Sequence, residues 1–99
     1  MEHNENLLVV ALEECSEVQK EISKALRFGI DNCPPDEPNI TNGELILKEY
    51  YQLCAVMDMI LEQGIITDLP ELKKHKIYTN KKIAVKKWED YSRTVGTVN

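Results

Sequence analysis

The stretch that decides the fold is "LLVVALEECSEVQKEISKALRFG", residues 7–29. It has no proline or glycine before its last residue. Leu7, Leu8, Ala11, Cys15, Val18, Ile22, Ala25 and Leu26 recur at the spacing of one helical face. The periodicity predicts a helix from about Asn6 to Phe28, stopped by Gly29, the residue type that most readily follows a helix C-terminus. Within it, "EECSE" at residues 13–17 sets glutamates beside a stripe that otherwise reads as core. At about 100° per residue, Glu14 and Glu17 lie about 60° apart at the edge of that stripe, whereas Glu13 points further toward solvent.

The next stretch, "IDNCPPDEPNI", carries three prolines and no helical or strand period, so it reads as a loop. Thr41 and Glu44 then have the spacing of a capping box, which starts a second helix running to about Glu62, before Gly64. Leu45, Ile46, Leu53, Val56, Met57 and Ile60 fill one side of it, and Leu47, Tyr50, Cys54 and Leu61 widen the arc. A helix apolar over so much of its circumference is normally buried on more than one side. Three helices cannot cover it, so the chain is expected to form a homodimer or homotetramer.

"GIITDLPELKKHKIYT" reads as a connection with one helical turn after Pro70. A third helix is expected from about Asn80 to Arg93, burying Ile83, Ala84, Trp88 and Tyr91. With no alternating strand pattern and no internal repeat, the class is all-α: one domain over residues 1–99, an antiparallel bundle of three to four helices completed by association of copies.

Composition narrows the function. At 99 residues, a chain buries only about 60 to 70% of its unfolded surface. An apolar share of 42% and a charged share of 29% are those of an ordinary globular protein. The formal net charge of -5 argues against a nucleic-acid polymer as partner. Glu13, Glu14, Glu17 and Glu21 crowd the first quarter, and Lys73, Lys74, Lys76, Lys81, Lys82, Lys86 and Lys87 the last third. Cys15, Cys33 and Cys54 form neither a disulfide framework nor a zinc pattern, and Cys15 and Cys54 fall at core-like positions. No signal pattern and no membrane-length apolar run is present, so a cytoplasmic protein with no membrane partner is expected.

One further carboxylate stands out. Glu49 lies about 40° from Leu53 and about 20° from Val56 and Ile60 around the second helix, and so points into the apolar seam. Such a carboxylate needs a partner. A lysine or arginine from another segment is one candidate. A divalent cation shared by Glu14, Glu17 and Glu49 is the other, since Mg²⁺ prefers hard oxygen ligands.

"EECSE" is also similar to the E-E-x-x-E motif of the MazG-like all-α nucleoside triphosphate pyrophosphohydrolases, whose second half is E-x-x-D on the next helix. "EECSEVQKEISKALRFGID", the "TN" at Thr41 and Asn42, "AVMDMI" and the terminal "YSRTVGT" resemble the small phage and mobile-element members of that family. The resemblance implies Mg²⁺ held by Glu14, Glu17 and Glu49, with these carboxylates also serving catalysis. The family's aspartate falls on Gln52, a departure that removes one negative charge and leaves a neutral carbonyl oxygen. Asp58 lies about 180° from Glu49 and is no replacement.

The implied activity is cleavage of a (deoxy)nucleoside triphosphate to the monophosphate and pyrophosphate, in a house-cleaning or nucleotide-pool role. Lys24 and Arg27, one and two turns beyond the glutamates, and the Lys82–Lys86 pair are the implied phosphate-binding cations. Gln52 also keeps open a non-catalytic nucleotide- or partner-binding helical module on the same scaffold.

Overall fold

The computed structural model describes residues 2–99. Three helices account for its regular structure: α1 (His3–Phe28), α2 (Asn42–Glu62) and α3 (Glu71–Thr94), with no strand among the described residues. The chain divides into a first unit ending at Thr67 and a second running Asp68–Asn99.

The first unit is a helical hairpin. α1 ends where expected: Gly29 takes φ 98°, and its N–H donates to the Ala25 carbonyl at 2.8 Å. That backbone angle favours glycine, and a Cβ there would lie 2.6 Å from Asn32 Nδ2. The same Asn32 amide donates to the Phe28 carbonyl at 2.6 Å. The proline-containing loop then folds back. The Asn42 N–H reaches the Asn32 carbonyl at 2.8 Å, the Gly43 N–H reaches the Ile30 carbonyl at 2.9 Å, and the Asn42 side chain donates to the Gly29 carbonyl at 2.9 Å. Asn42 is 2% exposed, so its amide binds the end of α1 to the start of α2 inside the structure. These bonds make the pair antiparallel.

α2 begins with Thr41 Oγ1 accepting from the Glu44 N–H at 3.1 Å, which is the N-cap half of the expected box. At the open end of the hairpin, Leu7, Ala11 and Ile60 form a buried cluster against which Val56 and Ile65 pack. Ala25 and Leu45 are the other buried apolar residues. Burial is thus confined to a narrow seam, and several expected core positions are not in it. Cys15 is exposed rather than buried, and Cys54 is only half-buried. Leu8, Ile22, Leu26 and Met57 are exposed as well. The reason is geometric: one antiparallel neighbour covers a single seam, and the apolar arcs of α1 and α2 are wider than that.

The second unit corrects the expected third helix. α3 starts directly after Pro70 rather than near Asn80, so most of the supposed connection is helical. Its first turn is organised by charge: Asp68 Oδ1 accepts from the Leu69 N–H at 2.8 Å. Lys74 Nζ reaches Asp68 Oδ2 at 2.8 Å and Glu71 Oε1 at 3.0 Å. The last turn is similarly tied, with Arg93 on Glu89 and Asp90. None of the α3 residues is buried. Ile83, Ala84, Trp88 and Tyr91, expected in a core, are exposed. Trp88 and Tyr91 meet each other edge to face at 5.9 Å between ring centres.

Candidate functional site

Of the glutamates on α1 and α2, Glu14, Glu21 and Glu49 are at least half-buried, whereas Glu13 and Glu17 are exposed. Ala11 and Ile60 share a cluster at the open end, and Gly29 is bonded to Asn42 at the closed end. Eighteen residues separate each pair of levels on both helices. The register is therefore close to uniform, and Glu49, seven residues into α2 from Asn42, is level with about Ile22 of α1.

Burial sorts the carboxylates. Glu14 is half-buried, and its Oε2 is enclosed without a hydrogen-bond partner. Glu49 is also half-buried, consistent with its angular position toward the seam. Glu17, by contrast, is exposed, as are Glu13 and Gln52. Side chains of three or more Asp, Glu, His or Cys residues do not converge on one point among the described residues.

The most buried charge is one that the motif reading passed over. Glu21 is 7% exposed. In the sequence it stands out only as part of the acidic first quarter. The available signal was its distance of seven residues from Glu14, which returns to within about 20° of the same direction on a helix. Its Oε2 lies 3.6 Å from Lys24 Nζ, an ion pair too long to be a hydrogen bond.

Lys24 connects this seam to a recess of about 330 Å³ at the closed end of the hairpin. Phe28 and the Pro34–Pro35 pair line it, together with Lys24, Asn32, Cys33, Asp36 and Asn42. Arg27 is exposed and lies over the Phe28 ring at 4.9 Å from its centre, a cation–π placement that positions the guanidinium beside this end of α1. Lys82 and Lys86 belong to the second unit. There Lys86 pairs with Asp90 at 3.3 Å, and Lys82 lies beside Tyr78 and Thr79 on the surface of α3.

Glu14 and Glu21 each keep an enclosed carboxylate oxygen that has no hydrogen-bond donor. No protein-family model matches the chain, and neither a curated protein nor a solved structure does. No helix among the described residues is long and apolar enough to cross a membrane.

Proposed function

We propose that the protein is an Mg²⁺-dependent nucleoside triphosphate pyrophosphohydrolase of the MazG-like kind, cleaving a (deoxy)nucleoside triphosphate to the monophosphate and pyrophosphate. The observation that carries this reading is the enclosed Glu14 Oε2, which has no hydrogen-bond donor on a seam that Glu49 also enters. A buried carboxylate oxygen left without a donor is costly, and a cation would relieve that cost.

In this scheme Glu14, Glu17 and Glu49 would hold the cation, and the Gln52 carbonyl would add a neutral oxygen. When bound, Mg²⁺ neutralises the triphosphate oxygens and lowers the pKa of a water. One of these carboxylates would accept a proton from the attacking water as the water oxygen bonds to the α-phosphorus, while the bond from that phosphorus to the bridging oxygen breaks and the oxygen leaves with the pyrophosphate. Lys24 and Arg27 donate to the departing pyrophosphate, whose charge needs cations as it leaves. The recess around Phe28 offers an apolar wall for the base or sugar.

Homo-oligomerisation belongs to the same proposal. Leu26 is 81% exposed and Leu12 67%, while α3 displays Ile83, Trp88 and Tyr91 without burying a single residue. Apolar surface on this scale is what a second copy would cover, giving the bundle of helices that one chain lacks.

A non-catalytic nucleotide- or partner-binding module is the second reading, favoured by Gln52 in place of a carboxylate and by its exposure. Isosteric variants separate the two. Glu14→Gln, Glu17→Gln and Glu49→Gln are each expected to abolish Mg²⁺-dependent turnover with helix content intact. Full turnover in all three would refute the enzyme reading of these carboxylates.

A further inference from the structure

We propose that α3 is an exchanged arm: its apolar stripe seats on the outer face of the α1–α2 hairpin of a second copy, and the two copies do this reciprocally. This rests on the association proposed above and names the two surfaces that meet.

Three observations carry it. The first is a shared spacing. On α1, Leu8, Leu12, Cys15, Gln19, Ile22 and Leu26 follow alternating steps of four and three, the spacing of a coiled-coil seam. On α3, Ile77, Lys81, Ala84, Trp88, Tyr91 and Val95 repeat the same steps. Each stripe runs for about 27 Å along its helix. A single chain leaves every one of these positions exposed, so both stripes await a cover of the same length and period.

The second is where the α1 stripe points. It is turned about 100° from the direction of Leu7, Ala11, Glu21 and Ala25, the buried side of α1. On α2, Leu47, Cys54, Met57 and Leu61 form a stripe turned about 120° in the same sense from Asn42, Leu45 and Ile60. Because the two helices are antiparallel, equal senses of rotation bring both stripes to one side of the hairpin. That side is an apolar face two helices wide, and the groove between two helices takes a third.

The third is charge, which decides between the surfaces a second copy can offer. Residues 1–67 carry a formal charge of -9 and residues 68–99 one of +4, together the chain's -5. Lys73, Lys81 and Lys87 lie within about 80° of the centre of the α3 stripe, while Glu5, Asp58 and Glu62 edge the hairpin face. None of these six is in an ion pair among the described residues. Two hairpin faces laid together would set acid against acid, and two α3 stripes would bring their lysines together. Seating α3 on a hairpin pairs opposite charges and covers both apolar surfaces in one contact.

The test is complementation between two variants that each keep one surface. Leu12→Lys spoils the hairpin face and Trp88→Glu the α3 stripe; both positions are exposed, and circular dichroism checks that the helices remain. The unsubstituted protein is expected to sediment as a dimer and each variant alone as a monomer. Their equimolar mixture is expected to return to a dimer, because the intact arm of the Leu12→Lys chain fits the intact face of the Trp88→Glu chain. A dimer that persists in either variant alone, or a mixture that stays monomeric, would overturn the exchange while leaving association in place. An unsubstituted protein that is a monomer would overturn both.

Trp88, the chain's one tryptophan, gives a second readout that needs no substitution. Seated on a second copy, it is expected to emit at short wavelength and to shift to long wavelength on dilution, as sedimentation shows the monomer forming. Short-wavelength emission from the monomer would mean that a chain's own hairpin covers α3. Fully solvated emission from the dimer would mean that α3 takes no part in association. Either result would overturn the proposal.

Discussion

Ile60 offers the sharpest test of the hairpin that carries the site. It has no exposed surface and packs with Leu7 and Ala11, the other two members of the buried cluster, under Val56 and Ile65. Replacing it with alanine removes three carbons from the best-sealed point of a thin seam. Ile→Ala substitutions in cores cost about 2 to 5 kcal/mol, and Ile→Val about 0.5 to 1.5. Val56 and Ile65 are only half-buried and can settle inward. The lower half of the range applies, and Ile60→Ala is expected to cost about 2 to 3 kcal/mol. At roughly 4 to 8 °C per kcal/mol for a chain of this size, the melting temperature should fall by about 10 to 20 °C. Thermal melts by circular dichroism at fixed protein concentration, with Ile60→Val as the intermediate step, measure it. A fall of less than about 4 °C in Ile60→Ala would mean that α1 and α2 do not meet through this cluster, and the register that sets Glu49 level with about Ile22 would fail with it.

Association is expected to bury the apolar surface left open, so Leu26→Lys should shift the sedimenting species toward a monomer; an unchanged monomer in both proteins would refute oligomerisation. Asp68 is held below its usual 3.8 first by the Lys74 hydrogen bond and then by the Leu69 N–H, and Lys74 is raised above 10.5 first by Asp68 and then by Glu71. A depressed carboxylate contributes stability above its unfolded value and loses it as pH falls through the folded one, while the raised lysine loses its contribution as pH climbs through its own. The start of α3 should therefore hold between those limits and loosen below about pH 3.8. Asp68→Asn should flatten that acid limb in a circular-dichroism titration, and an unaltered limb would deny the tie its role. Gln52→Asp adds a charge one turn from Glu49. It is expected to raise the melting temperature in Mg²⁺ and lower it in chelator, whereas equal shifts in both would place residue 52 away from the cation.

How far the chain could be read from its sequence depended on how local the deciding physics was. The end of α1 and the start of α2 were legible because Gly29 and Thr41 act on their own backbone, one through a positive φ and the other through a cap on the Glu44 N–H, whereas α1 begins at His3 rather than near Asn6. The start of α3 was not. Its first turns are held by Asp68, Glu71 and Lys74 rather than by an apolar face, and charge ties of this kind leave no period to count. Burial was legible only in part. Angular arithmetic turned Glu14 and Glu49 toward the apolar side, where both are half-buried, yet it set Glu17 on the same face as Glu14 and placed Cys15 and Leu26 in a core, and these three are exposed, because angle gives direction without saying how much of a helix its neighbour covers. Glu21 escaped for the opposite reason. Its seven-residue step from Glu14 was visible, but only the seam shows that such a step ends in an enclosed oxygen.

The account stands most directly on which bond is cut. Phosphorus resonance spectra of a deoxynucleoside triphosphate incubated with the protein and Mg²⁺ distinguish the products without a coupling enzyme. The account predicts pyrophosphate and the nucleoside monophosphate appearing together, only with the divalent cation present, and lost in Glu49→Gln. A panel of nucleoside triphosphates that all stay intact, or that yield the diphosphate and inorganic phosphate, would contradict it.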